Sequence, residues 1–245
     1  MAAAGALLAA CHDVMAAEVR EGITTQALDE MAEALIRERG GVPAFKGYHG
    51  FPASICPSVN DQVVHAIPGP YALRAGDIVS IDAGVVLDGW VADAARTHPV
   101  GEVSLQAVRL LAATERSLER GIAACRIGGT VGDIGSAVQS EVEAEGFSVV
   151  QSLVGHGVGR AMHEEPQVPN FGRPGTGLPL EEGFVMAIEP MVNAGGHEVV
   201  LGPDGWTITT KDGSLSAHFE HTVAVTAAGP RVLTGAALAE ARRAS

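Results

Sequence analysis

The sequence predicts an α+β fold built from two related halves around a shared core. Three observations carry this reading. Helical hydrophobic periods come in pairs, and each pair is followed by apolar strand patterns. A weak internal repeat runs at an offset near 107 residues. Apolar strands in both halves carry carboxylates where a core would exclude them. The chain has 245 residues, 47% of them hydrophobic, so disorder is excluded as its main state. A single domain over 1–245 is expected, with halves about 1–100 and 105–228.

Taken in order, residues 2–20 read as an alanine-rich helix lying on the domain and 25–39 as a second. The second has Thr24 or Thr25 as N-cap, apolar Leu28, Met31, Leu35 and Ile36, and a stop at Gly40-Gly41. Residues 43–62, rich in glycine, proline and aromatics, read as irregular chain with short strands. Residues 76–87 and 90–97 read as strands joined by Asp88-Gly89, a strong two-residue hairpin pattern. Residues 104–121 form an amphipathic helix with Leu105, Val108, Leu111 and Leu118 on its period. Residues 131–145 form another, opened by a capping box of Thr130 and Asp133. From Val149 to about Thr226 the chain reads as strands and glycine-rich turns, and 235–243 as a short helix.

The repeat connects these elements. Arg20-Glu21-Gly22-Ile23-Thr24 aligns with Arg126-Ile127-Gly128-Gly129-Thr130 at an offset of 106. His49-Gly50 falls on His156-Gly157, and Val79-Ser80-Ile81-Asp82 on Met186-Ala187-Ile188-Glu189, at 107. Such a period is too long for a solenoid and fits two α+β halves joined near 99–105.

A net charge of −13 argues against a nucleic-acid binder held by phosphate neutralisation. Three cysteines, Cys11, Cys56 and Cys125, with no Cys-x-x-Cys, support neither a disulfide framework nor a thiolate zinc site. The apolar start lacks the basic stretch of a signal peptide, and no apolar run reaches the ~18–20 residues of a membrane span. A cytoplasmic protein with no membrane partner is expected.

The carboxylates point to chemistry. Asp82 lies within Ile78–Val86, and burying a bare carboxylate requires a partner or a metal. If Asp88-Gly89 is the loop, paired residues sum to 177 and Asp82 faces Ala95. Asp93 then lies diagonally on the same sheet face, within reach of a common ion. The second half repeats the pattern with Glu189 in Phe184–Val192 and Glu220 in Ala217–Val225. His156 adds an imidazole hemmed by Gly155, Gly157 and Gly159. Four carboxylates and one histidine suit two divalent first-row cations better than a lone zinc. His218 is a weaker candidate on the Glu220 face. On spacing alone His65 and His163 are equally well read as surface loop residues, and His12, His98 and His197 are read as surface residues.

Gly47-Tyr48-His49-Gly50-Phe51-Pro52, Asn60 to Pro68, Asp82 with Asp93, Gly155 to Arg160, His163 to Val168, Ile188 to Met191 and Phe219 to Thr222 together resemble the type I methionine aminopeptidases, over about residues 1–228. The resemblance implies the pita-bread fold, in which a central antiparallel sheet is covered by helices. It implies a two-metal site of Asp82, Asp93, His156, Glu189 and Glu220, binding Co, Mn, Fe or Zn. It assigns His65 and His163 to the substrate, Glu189 to the role of base, and a metal-bridging hydroxide to the attack. Phe45, Tyr48, Phe51, Cys56, Met162 and Trp206 stand where the family builds its methionine pocket. The implied substrates are nascent chains and peptides with a small second residue, met by a cytoplasmic monomer close to the ribosome. The chain departs from the family at Ala94-Ala95, where a hydroxyl residue is common, and at Met162, where an aromatic is. Two rival readings are a proline-directed (Xaa-Pro) peptidase and a metal-free binding protein on the same fold.

Overall fold

The structure, a computed structural model, describes residues 1–235. The helix expected at 235–243 therefore falls outside the described residues. In chain order the elements are α1 (Ala2–Glu18), α2 (Thr25–Glu38), β1 (Val42–Pro43), β2 (Ile55–Val59), β3 (Gln62–Val64), β4 (Ile78–Leu87) and β5 (Trp90–Pro99). There follow α3 (Leu105–Ala124), α4 (Val131–Ala144), β6 (Ser148–Val149), β7 (Gly155–Gly157), β8 (Glu164–Val168), β9 (Val185–Ile188) and β10 (Met191–Asn193). The last are β11 (Val199–Leu201), β12 (Ile208–Thr210), β13 (Ser216–His218), β14 (Glu220–Thr226) and β15 (Gly229–Val232).

The main sheet runs β1-β4-β5-β14-β9-β7-β8, with β2 also on β4 and β15 on β14. Its pairings are antiparallel. Two smaller sheets, β13-β10-β6 and β11-β12-β3, lie beside it.

Side-chain alternation divides the β4–β5 hairpin into two faces. Val79, Ile81, Ala83 and Val85 of β4, with Ala92 and Ala94 of β5, pack against Leu8, Met15, Leu28 and Ile36 of α1 and α2. Each of the buried Val, Leu, Ile and Met side chains contributes about 1.5–3 kcal/mol. The opposite face carries Asp82 and Asp93. The helices thus press one face into a rigid wall and leave the other to hold the acids.

The helix caps follow from the sequence. Thr24 accepts the Ala27 N–H and Ser104 the Ala107 N–H. Thr130 and Asp133 form the reciprocal box that their spacing predicts. The α3 face meets expectation at Leu111 and Leu118 and departs from it at Leu105 and Val108. Leu105 is 84% exposed and Val108 50%. The buried stripe runs instead through Ala107, Leu110, Ala113, Thr114, Ser117, Leu118 and Gly121. Small residues prevail there because α4 comes close: a Cβ on Gly121 would lie 2.9 Å from Val138 Cγ2.

Candidate metal centre and cavity

The hairpin forms in the predicted register, with Leu87 opposite Trp90, Asp82 opposite Ala95 and Gly84 opposite Asp93. Asp88 and Gly89 both take positive φ, 52° and 71°, as a two-residue turn matching the strand twist requires. Strand β2 sets Cys56 opposite Asp82, and β14 sets Glu220 opposite Ala95. Cys56, Asp82, Ala95 and Glu220 therefore form one row across four strands. Ala95, small and central, leaves open space between the two acids. Asp93 enters that space from two residues along β5.

Glu189 and Glu220 stand where the chain changes sheets. Strand β9 ends at Ile188, one residue short of Glu189, and β10 begins at Met191 in another sheet. Pro190 between them has no N–H to continue a ladder. Strand β13 pairs with β10, whereas β14, starting at Glu220, pairs with β5 and β9. The single strands drawn from sequence through Phe184–Val192 and Ala217–Val225 are thus each broken beside the acid. His156 lies opposite Ala187, so Glu189 is two residues along on the same face. Its flanking glycines are required. A Cβ would lie 2.4 Å from Ala187 O at Gly155 and 2.2 Å from Glu165 O at Gly157.

Asp82, Asp93, Glu220 and His156 are buried, and the Glu189 side chain is 13% exposed. His156 Nε2 lies 3.5 Å from Glu189 Oε1 and 3.8 Å from Asp93 Oδ2. Ligand atoms of Asp93, His156 and Glu220 all fall within 4.8 Å of one another. Asp82 Oδ1, Asp93 Oδ1 and Glu220 Oε1 are buried without a hydrogen-bond partner. Among the described residues no Lys or Arg nitrogen lies within 4.0 Å of these carboxylates; their ion-pair neighbours are His156 and His218. Burial and mutual repulsion raise Asp82, Glu189 and Glu220 far above the usual carboxylate range, and burial raises Asp93 to about 7. Burial likewise lowers His156 to about 4, leaving a neutral imidazole with a free lone pair. Unpartnered carboxylate oxygens with a neutral imidazole fit a divalent cation site.

The backbone at this centre is held by hydroxyls. Thr222 Oγ1 accepts the Asp93 N–H at 2.9 Å and donates to Asp93 O at 2.8 Å. Thr97 Oγ1 accepts the His218 N–H and donates to His218 O, and Ser80 meets Thr97 at 2.8 Å. Asn170 donates to Glu189 O. Sequence reasoning missed these supports, which show only as unremarkable threonines and an asparagine. His218 is fully enclosed, with Nε2 3.8 Å from Glu220 Oε2 and 3.9 Å from Glu189 Oε2 and no hydrogen bond from either ring nitrogen. His12 is a correction. It is buried rather than superficial, and its Nε2 meets Ala94 O at 3.0 Å behind the sheet. His98 is also largely enclosed, with its Nε2 buried, whereas His197 is exposed. Both corrections have one cause: α1 covers the outer face of β5.

The four acids and His156 form the floor of a cavity of about 290 Å³. Phe45, Tyr48, Phe51, Cys56, Met162 and Trp206 line it, as do His65 and His163. His49, Val64, Leu153, Val154 and Met191 line it too, none of them named as a site residue from the sequence. Phe51 and Trp206 meet edge to face at 5.1 Å. Asp29 accepts the Ser54 and Ile55 N–H groups and so fixes the start of β2, which carries Cys56. The turn bearing Met162 and His163 is fixed by Glu164, which accepts the Arg160 and Ala161 N–H groups. Arg160 in turn lies 3.7 Å over the Trp90 ring and donates to Gly89 O.

The profile of metallopeptidase family M24 matches residues 1–227. A methionine aminopeptidase of Clostridium perfringens is 52% identical over 234 residues, covering 96% of this chain and 94% of that protein. The crystal structure of methionine aminopeptidase from Rickettsia prowazekii superposes with a TM-score of 0.94 at 44% identity, covering 96% and 95% of the two chains. An Xaa-Pro dipeptidase from Bacillus anthracis shares the fold at a TM-score of 0.76 but only 20% identity, and 59% of that chain is covered.

Proposed function

The chain belongs to metallopeptidase family M24, and on that premise we propose that it is a metal-dependent aminopeptidase removing N-terminal methionine from peptides and nascent chains. The observation that carries the reading is the meeting of unpartnered buried carboxylates and a neutral histidine beneath an apolar cavity closed by aromatic and sulfur-bearing side chains. Nearly half the residues match methionine aminopeptidases across the full length, whereas likeness to Xaa-Pro enzymes extends to the fold alone. The proline-directed reading is therefore set aside. The metal-free binder is disfavoured by four carboxylates kept together without a cation of the protein's own.

Asp82, Asp93, His156, Glu189 and Glu220 would hold two divalent ions, of which Co²⁺, Mn²⁺, Fe²⁺ and Zn²⁺ all suit oxygen and imidazole donors. Bound there, such ions polarise a carbonyl and make water acidic enough to attack at neutral pH. Glu189 takes the proton of the attacking water and returns it to the leaving amine. His163 donates to the scissile carbonyl oxygen as charge builds on it, and His65 contacts the amide on the leaving side. Phe45, Tyr48, Phe51, Cys56, Met162 and Trp206 take the methionine side chain, to which polarisable, apolar walls are suited. A small second residue is preferred. The same reading has a monomer acting in the cytoplasm near the ribosome, and no described helix is long and apolar enough to cross a membrane.

The test is methionine release from Met-Ala-Ser beside an Xaa-Pro dipeptide, with Co²⁺ or Mn²⁺ added and metal counted by elemental analysis. About two ions per chain and release from Met-Ala-Ser alone are expected. Glu189→Ala should abolish turnover while keeping the far-UV circular dichroism. No release from freshly metallated protein would overturn the proposal.

A further inference from the structure

Tyr48 stands in the wall of the cavity, but its hydroxyl does something a wall does not need. Its Oη lies 2.7 Å from Nδ1 of His163. The two rings are stacked, 5.4 Å apart and 29° from parallel. The backbone on both sides of this contact is tied down. Tyr48 opens a single helical turn, Tyr48–Gly50, entered through Gly47 at φ 89°. Its N–H donates to Phe45 O, and its carbonyl accepts the Phe51 N–H, both at 2.9 Å. His163 follows Met162 on the turn fixed by Glu164. Its ring lies 4.2 Å from that of His156, at the floor of the cavity.

A neutral imidazole has one donor and one acceptor nitrogen, and whatever occupies one nitrogen decides what the other presents. A phenol is the stronger acid of this pair, and an imidazole lone pair is a stronger acceptor than a phenol oxygen. Among the described residues the Tyr48 hydroxyl has no hydrogen-bond partner other than His163. The favoured arrangement is therefore O–H donating to Nδ1, which leaves the proton of His163 on Nε2.

We propose that Tyr48 is a positioning residue: its phenol holds His163 as the Nε2–H tautomer, so that the imidazole offers the cavity a donor. This inference rests on the reading of His163 as the group that donates to the scissile carbonyl. In the opposite tautomer Nε2 would present a lone pair to that oxygen, and the two would repel. The linkage spans 115 residues of sequence, so no local motif announces it.

The experiment uses the zinc-loaded full chain labelled with ¹⁵N-histidine. Long-range ¹H–¹⁵N correlation reads the tautomer of each ring, and His163→Gln identifies the His163 signals by their loss. In the unaltered chain Nδ1 of His163 should appear as the unprotonated nitrogen. Tyr48→Phe keeps the ring and loses the hydroxyl. It should give a mixed tautomer and lower kcat roughly tenfold or more, with KM for Met-Ala-Ser within about twofold. Tyr48→Leu should in addition raise KM. If His163 carries its proton on Nδ1 in the unaltered chain, the proposal is overturned. It is also overturned if Tyr48→Phe leaves both tautomer and kcat unchanged, which would make Tyr48 a wall only. If the metallated chain releases no methionine at all, the functional reading fails, and the tautomer measurement still decides the role of Tyr48.

Discussion

Replacing Thr222 by valine keeps the shape of a fully buried side chain and removes one oxygen. That oxygen serves both backbone groups of Asp93, accepting from its N–H and donating to its carbonyl. The ladder between β5 and β14 is short, pairing Ala95 with Glu220 and Ala94 with His221. The valine variant leaves two buried backbone groups without partners, each costing about 1–3 kcal/mol. Allowing for relaxation, we expect a loss of about 3 kcal/mol, equivalent to roughly 6–12 °C in Tm for a chain of this size. Asp93 would also sit less firmly, and loss of such a support typically weakens metal binding about 10–100-fold. Thr222→Ser is the control, since it keeps the hydroxyl and gives up one methyl, worth about 0.8 kcal/mol. Thermal unfolding of the metal-free chains and competitive titration of Co²⁺ against a chromogenic chelator measure the two effects. A valine variant as stable as the parent, or a serine variant as damaged as valine, would refute the reasoning.

In the metal-free chain the Asp93 contribution to stability should fall as pH rises. Asp93 ionises near 7 when folded and near 3.8 when unfolded, so between those values the folded state holds the extra proton. Its contribution is complete below about pH 4 and disappears as pH passes 7, on the order of 4 kcal/mol at 1.36 kcal/mol per pH unit. Between pH 5 and 7 the urea midpoint of the chelator-treated parent should fall relative to that of Asp93→Asn, in which this group does not titrate. The buried histidines, which act in the opposite sense, cancel in that comparison, and a pH-independent difference between the two would contradict this. Gly84→Ala should constrict the cavity, because the new Cβ would lie 2.8 Å from Phe45 Cε1 and 2.9 Å from Met162 Cε. Both side chains must shift, so KM for a methionyl peptide should rise several-fold with metal content unchanged, and an unchanged KM would remove this wall from the methionine pocket.

The hairpin was legible in the sequence because its turn chemistry, alternation and misplaced acids all agreed. Asp88-Gly89 alone set the register that brings Asp82 beside Asp93. The second pair of acids was visible as an anomaly but not as geometry. Pro190 ends a ladder, yet no local rule says that the chain crosses to another sheet there, or again at Phe219. Two of the four α3 positions, Leu105 and Val108, were misread for a related reason. Leu105 and Val108 follow the helical period, but close packing against α4 selects small residues over large ones. His12 shows the limit most plainly. An isolated histidine in an alanine-rich helix gives no hint that β5 lies beneath it, and the threonine clamps are equally silent because their partners lie more than 120 residues away.

The seam between β5 and β14 also governs when the centre can exist during folding. Asp82 and Asp93 come from one hairpin and can meet within a short loop closure. In the sheet order His156, Glu189 and Glu220 are joined to that hairpin through β14, across sequence separations whose ordering is expected to be slow. A chain stalled before docking offers two carboxylates and no imidazole, a weak and unselective ligand set. On the proposed reading, uptake of an ion would report that the last long-range pairing has closed, and the ion would in turn lock that pairing by mass action.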